Sequence, residues 1–243
     1  FAIGKEKMLR PPAGHPAAAQ SADSMARNYD GHSLGDDLAS RGWVVFATDA
    51  LGWGDRSCGT YEHQQAVASN LFNLGSSWAG LIAVEDMAAA AFLAGLPKVD
   101  PNRVAAIGHS MGGFRSWQVA ALSDHVRSAV AVCGLATLAS VMQPGSNRTR
   151  GQSAFSMTHP GLNRQLDFPD VAAIAAPKPL LLIHGTADHL FPARGVMDAA
   201  DRVARVYHAW GSPERFRSVL RPGGHLFSAD DQAMAWEWLE TWR

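Results

Sequence analysis

Only two cysteines, Cys58 and Cys133, occur in the 243 residues, and no metal-like or redox spacing relates them. That excludes a disulfide framework and any metal site read from cysteine spacing. Cys133 ends an apolar run and is expected to be buried and inert. Neither sign of charge dominates: 21 Lys and Arg against 22 Asp and Glu give a formal net charge of −1. Both signs are scattered along the chain, so the basic stripe of a nucleic-acid surface is missing and no nucleic-acid partner is expected. No run reaches the roughly 18 apolar residues that a membrane-crossing helix needs. The longest candidate, "VAAIAAPKPLLLI", is interrupted by Pro177 and Lys178. There is no internal repeat. No signal-peptide pattern is present either, although processing would remove one, so the sequence leaves the compartment open.

What remains is a globular composition, 47% hydrophobic and 18% charged, at a length suited to one large domain. The chain reads as a single domain, 1–243. The stretch "RPPAGHPAAAQSADS" (residues 10–24) is rich in proline and alanine and is predicted to be a surface loop. After it, strand and helix signals alternate. "WVVFATD" (43–49) reads as a buried parallel strand, followed by a long connection. A helix is predicted over 77–94, capped by Ser76 or Ser77 and closed by Gly95 and Pro97. "VAAIGH" (104–109), "SAVAVCG" (128–134) and "PLLLIHG" (179–185) are the next buried strands. "RFRSVL" (215–220), more polar, suits an edge. Helices are predicted at 114–122, at 194–209 closed by Gly211, and from Ser228, where Ser228 and Asp231 form a capping box. Alternating strands and helices specify an α/β domain with a parallel sheet. Such sheets bind ligands outside the carboxyl ends of their strands.

Three reactive residues fall at those ends. In "IGHSMGG", Ser110 lies between Gly108 and Gly112, after a strand and before a helix, where a sharp turn exposes a hydroxyl. Asp188 follows "PLLLIHG", and His225, in "RPGGHLF", follows the last strand. The order Ser110, Asp188, His225 is that of α/β-hydrolases. In such a triad His225 takes the proton from Ser110, Asp188 orients His225, and the backbone N–H of Met111 is an oxyanion donor. His184 and His189 flank Asp188, but no further ligand supports a metal, and neither metal nor cofactor is expected. His109 is expected to pack beneath the turn, and Asp49 to anchor the loop "ALGWGDRS". Trp53, Phe72, Phe155 and Phe191 are candidates for a pocket lining.

The stretches "DALGWGDRS", "GHSMGGFRSWQ", "RGQSAFSMTHPGL" and "HGTADHLFP" together resemble the bacterial acetyl-xylan-esterase-like branch of the α/β-hydrolase superfamily, near the dienelactone hydrolases. The resemblance implies an α/β-hydrolase fold with a mostly parallel sheet flanked by helices. It also implies a serine esterase that acts on small or carbohydrate-linked acyl groups and needs no cofactor. Dienelactone hydrolases proper use cysteine where this chain has Ser110. In the superfamily a strand ending in His-Gly precedes the segment matching "FAIGKEKM", and its loop supplies the second oxyanion N–H. Its place is between "WVVFATD" and "VAAIG", so the chain is expected to be N-terminally incomplete unless something else fills that slot.

The expected partner is a small-molecule ester, with the oligomeric state left open. The 44 residues from 135 to 178 are long for a connection and are expected to form a small cap. Arg148, Arg150, Phe155, Met157 and Arg164 lie within it as candidates for substrate selection. A prolyl-oligopeptidase-like peptidase and a binding protein that has lost turnover are the alternative readings.

Overall fold

The computed structural model describes residues 2–149 and 154–243. Arg150 lies outside them. In chain order the main elements are α1 (Ala18–Asn28), α2 (Leu34–Ser40), α3 (Tyr61–Asn73), α4 (Trp78–Ala94), β1 (Ala105–His109), α5 (Met111–Leu122), β2 (Ser128–Val132), α6 (Leu138–Val141), α7 (Phe168–Ala173), β3 (Leu180–Gly185), α8 (Ala193–Ala209), β4 (Phe216–Arg221) and α9 (Ala229–Thr241). The four strands form one parallel sheet in the order β1-β2-β3-β4.

Every residue of β2 and β3 is buried, as strands covered on both faces require. Alternation along them builds two cores. Ala129, Ala131, Leu180 and Leu182 face Phe114, Trp117 and Tyr207. Val130, Val132, Leu181 and Ile183 face Phe227, Trp236 and Leu239, together with Met25 of α1 and Tyr29 just after it. β4 closes one side of the sheet, and its Arg217 and Ser218 are exposed, as an edge demands. Two predicted caps are in place. Ser77 accepts from the Gly80 N–H, and the Ser228–Asp231 box starts α9.

Two expectations are corrected. Residues 43–49 are not a strand: they carry the predicted alternation, with Val44 and Phe46 exposed, but no ladder partner. A strand exists only through a neighbour's hydrogen bonds, and here the space between this segment and β1 is a cavity of about 210 Å³ lined by both. β1 is consequently the other edge of the sheet among the described residues. Residues 10–24 are not one loop, because α1 begins at Ala18. Its sequence, "AAQSADSMARN", buries Ser21, Ser24 and Met25, so helix-forming alanines carry it without an apolar stripe. The connection after residue 49 holds α3, started by a Thr60 capping box.

Candidate active site

The site grows from two places where main chain closely approaches main chain. At the end of β1 the chain reverses into α5 through Ser110, whose backbone sits at φ 59°, ψ −118°. Few residues other than glycine adopt that conformation, so the turn stores strain. A side chain at Gly108 would come within 2.3 Å of the Gly112 backbone, and one at Gly113 within 2.5 Å of the Val132 carbonyl. Gly112 itself has open space where a Cβ would lie, so its part in the turn is only to pass beside Gly108. The Ser110 N–H is tied to the Val132 carbonyl at 2.8 Å. Met111 opens α5, and its N–H lies in the first turn, where a helix offers no internal acceptor.

The second approach joins the loops after β3 and β4. Gly185 passes the Gly223 and Gly224 carbonyls so closely that a Cβ would lie 2.3 to 2.4 Å from them. The Thr186 and Ala187 N–H groups donate to the Arg221 and Gly223 carbonyls at 2.8 Å. This brings the three predicted residues together. His225 Nε2 lies 2.8 Å from Ser110 Oγ, and His225 Nδ1 lies 2.7 Å from Asp188 Oδ2. Asp188 is 3% exposed, and its other oxygen accepts from the Leu190 and Phe191 amides at 2.9 and 3.2 Å. Burial opposes ionisation of Asp188. The hydrogen bond and charge of His225 and the two amides outweigh it, holding the carboxyl below its usual range. Phe191 stacks on His225, 5.8 Å between centroids and 6° apart, which fixes the ring plane.

Sequence reasoning missed the brace of the histidine loop. Arg221 Nε donates to both oxygens of Asp231 at 2.8 and 2.7 Å, and another of its nitrogens reaches the Leu226 carbonyl at 2.6 Å. No local motif marks this pair, because Asp231 is read as the cap of α9, which it also is. On the far side the Phe227 N–H donates to Asn28, so α1 holds the loop as well.

The remaining candidates separate. Asp49 is an anchor, as expected: it accepts from Lys5 N (2.7 Å), Lys5 Nζ (2.8 Å) and the Asp55 N–H (3.1 Å). His109 is buried beneath the turn against Tyr29 and His225. His184 is fully buried and accepts from the Leu135 N–H at 3.2 Å, whereas His189 is exposed. Trp53 lines the cavity in front of Ser110, Phe155 joins the same apolar cluster as Trp53 and Met111 without lining the cavity, and Phe72 is largely at the surface.

That cavity, about 610 Å³, exposes Ser110 and His225 and is walled by residues from 2–8, α1, 47–53 and the start of α5. No described residue of 135–178 lines it. Phe168 and Met157 of that segment instead pack with Phe114 and Trp117 on the flank of the sheet. Arg148 is spent on the Ala154 and Met157 carbonyls and the Thr158 hydroxyl.

Residues 13–243 match the Alpha/beta hydrolase family. The chain belongs to that family. This α/β-hydrolase is 28% identical over 210 residues to YtaP of Bacillus subtilis (strain 168), a protein provisionally named a hydrolase, covering 86% of this chain and 68% of that one. Among solved structures its fold resembles a Bacteroides fragilis NCTC 9343 protein provisionally named an acetyl xylan esterase (TM-score 0.61, 20% identity, 77% of this chain and 49% of that one). It also resembles the glucuronoyl esterase from Solibacter usitatus (TM-score 0.55, 17% identity, 68% and 49%). The α/β-hydrolase thus spans about half the length of the solved structures it matches.

One wall of the α/β-hydrolase cavity is electrostatically latched. Lys5 Nζ holds Glu6, Asp49 and Asp55 at 2.7 to 2.8 Å. Burial raises the pKa of Asp49, but the Lys5 contacts and the Asp55 amide outweigh it, so the folded value is depressed. A depressed carboxylate stabilises the fold above its unfolded pKa, about 3.9, and loses that contribution as pH falls through the folded value. Residues 2–9 are therefore expected to stay protected from hydrogen exchange near neutrality and to lose protection below about pH 4. Asp49→Asn should expose them already at neutral pH. Equal protection of wild type and variant across that range would contradict the latch.

Proposed function

We propose that this chain is a serine carboxylic-ester hydrolase working through an acyl-serine intermediate. The observation that carries the proposal is the unbroken hydrogen-bonded line Ser110–His225–Asp188, with its serine on a strained turn. A serine hydroxyl is a weak nucleophile at its own pKa and needs an adjacent base. His225 Nε2 accepts the Ser110 proton as Oγ attacks the ester carbonyl. The Met111 N–H donates to the oxyanion that develops, and a transition-state donor of this kind is worth about 10²–10³ in rate. His225 then protonates the departing alcohol. A water, deprotonated by the same nitrogen, releases the acid from Ser110. Asp188 keeps the Nδ1 proton in place and balances the imidazolium charge in both half-reactions.

The substrate class we propose is a short acyl ester, including acetyl groups on carbohydrate. The cavity volume, about 610 Å³, lies within the range of small-molecule sites, roughly 300–1,000 Å³. It leaves room for a sugar-sized alcohol beside a small acyl group, in keeping with the names of the structural relatives. The test is intact mass after a fluorophosphonate. One adduct per chain is expected, absent in Ser110→Ala, together with turnover of acetyl esters ahead of long-chain esters and peptide amides. An unlabelled, folded wild type would overturn the proposal.

A further inference from the structure

Two clusters of potential metal ligands occur among the described residues. The first, Glu6, Asp49 and Asp55, is already closed over the Lys5 ammonium. The second is different. His109, Cys133 and His225 each offer one ligand atom, and the three atoms lie within 4.8 Å of one another.

Each member is short of partners or able to change them. His109 is nine-tenths buried, and its Nε2 has no hydrogen-bond partner. Orphaned nitrogens of this kind are rare in folded proteins and ask for an explanation. The His109 and His225 rings lie 4.8 Å apart, 38° from parallel. Cys133 Sγ lies 3.8 Å from the Leu226 carbonyl, a long contact that a metal bond can replace. Both histidines line the open cavity, which gives an ion a route in.

We propose that His109, Cys133 and His225 bind a borderline-soft divalent cation of the zinc type, and that binding disarms Ser110. Imidazole and thiolate both suit zinc, and three protein ligands leave a fourth position for water. Zn–N near 2.0–2.1 Å and Zn–S near 2.3 Å place ligand atoms about 3.3–3.6 Å apart, so the trio must draw in by roughly 1 Å. The thiol of Cys133 gives its proton to solvent as the S–metal bond forms. Both nitrogens of His225 are committed, Nδ1 to Asp188 and Nε2 to Ser110. Coordination through either one removes a bond from the line that ends at the serine.

Binding is testable without turnover; only the inhibitory consequence rests on the esterase reading. Cobalt(II) titrated into a Cys58→Ser background is expected to give a thiolate-to-cobalt charge-transfer band saturating at one equivalent and abolished by Zn²⁺. His109→Gln should weaken cobalt binding tenfold or more, since loss even of an outer-shell partner costs about 10–100-fold. Zn²⁺ should inhibit ester hydrolysis in step with occupancy, be reversed by a chelator, and lose its effect in Cys133→Ala. Absence of the band in folded protein overturns the site. So does a band unaffected by His109→Gln, or zinc inhibition undiminished in Cys133→Ala.

Discussion

Ser110→Ala and Ser110→Gly are both expected to lower ester turnover by about 10⁴-fold or more, because each removes the nucleophile and leaves only binding and the oxyanion donor. The two variants should part company in stability. Ser110 sits at φ 59°, ψ −118°, and a non-glycine residue held in such a region costs on the order of 1–3 kcal/mol. Alanine keeps the Cβ and the strain, whereas glycine relieves it. Glycine also enlarges the entropy of the unfolded chain, which takes back about 0.4–1 kcal/mol. The net advantage of glycine over alanine is thus about 1 kcal/mol. In a domain of this size that is a rise of roughly 2–4 °C in Tm. Paired thermal melts measure it directly, and an alanine variant as stable as the glycine one would show that the turn is unstrained.

Arg221→Met is expected to be the most damaging change away from the reacting groups. Asp231 is 2% exposed, and removing its partner leaves a buried carboxylate unpaired, a loss of about 3–5 kcal/mol. By the same scaling the melting temperature falls by roughly 10 °C. The Leu226 carbonyl loses its donor too, so the loop bearing His225 shifts. A displacement near 1 Å can reduce turnover by about a hundredfold. Arg221→Met/Asp231→Asn should recover much of the stability, because the uncompensated charge is gone, but little of the turnover. Recovery of both together would assign Arg221 a purely structural part.

These contrasts show what a linear reading could reach. Ser110, Asp188 and His225 were legible because each follows an apolar strand and sits among glycines, so local signals gave both type and place. The edge position of β4 could be read from its arginines. Residues 43–49 misled for a physical reason: apolar alternation reports burial, whereas a strand also requires a paired neighbour. α1 was missed because its inward face is mostly Ser21, Ser24 and Met25. The brace through Arg221 and Asp231 closes the loop between β4 and α9, and His109 meets Cys133 across the ends of β1 and β2. Neither leaves a pattern in spacing.

The glycine contacts divide the molecule into parts that can and cannot be redesigned. Gly108, Gly113 and Gly185 lie against bare backbone at 2.3 to 2.5 Å from a hypothetical Cβ. Backbone has no rotamer with which to yield, so a saturation library spent on those positions returns almost nothing. The cavity wall contributed by Ala2, Ile3, Lys7, Gln20 and Arg27 is built from side chains on a separate stretch of chain. Changes there can remodel the space in front of the serine while the turn, the acid and the base stay where the main chain puts them. Substrate preference in this fold can therefore drift quickly while the chemistry holds still.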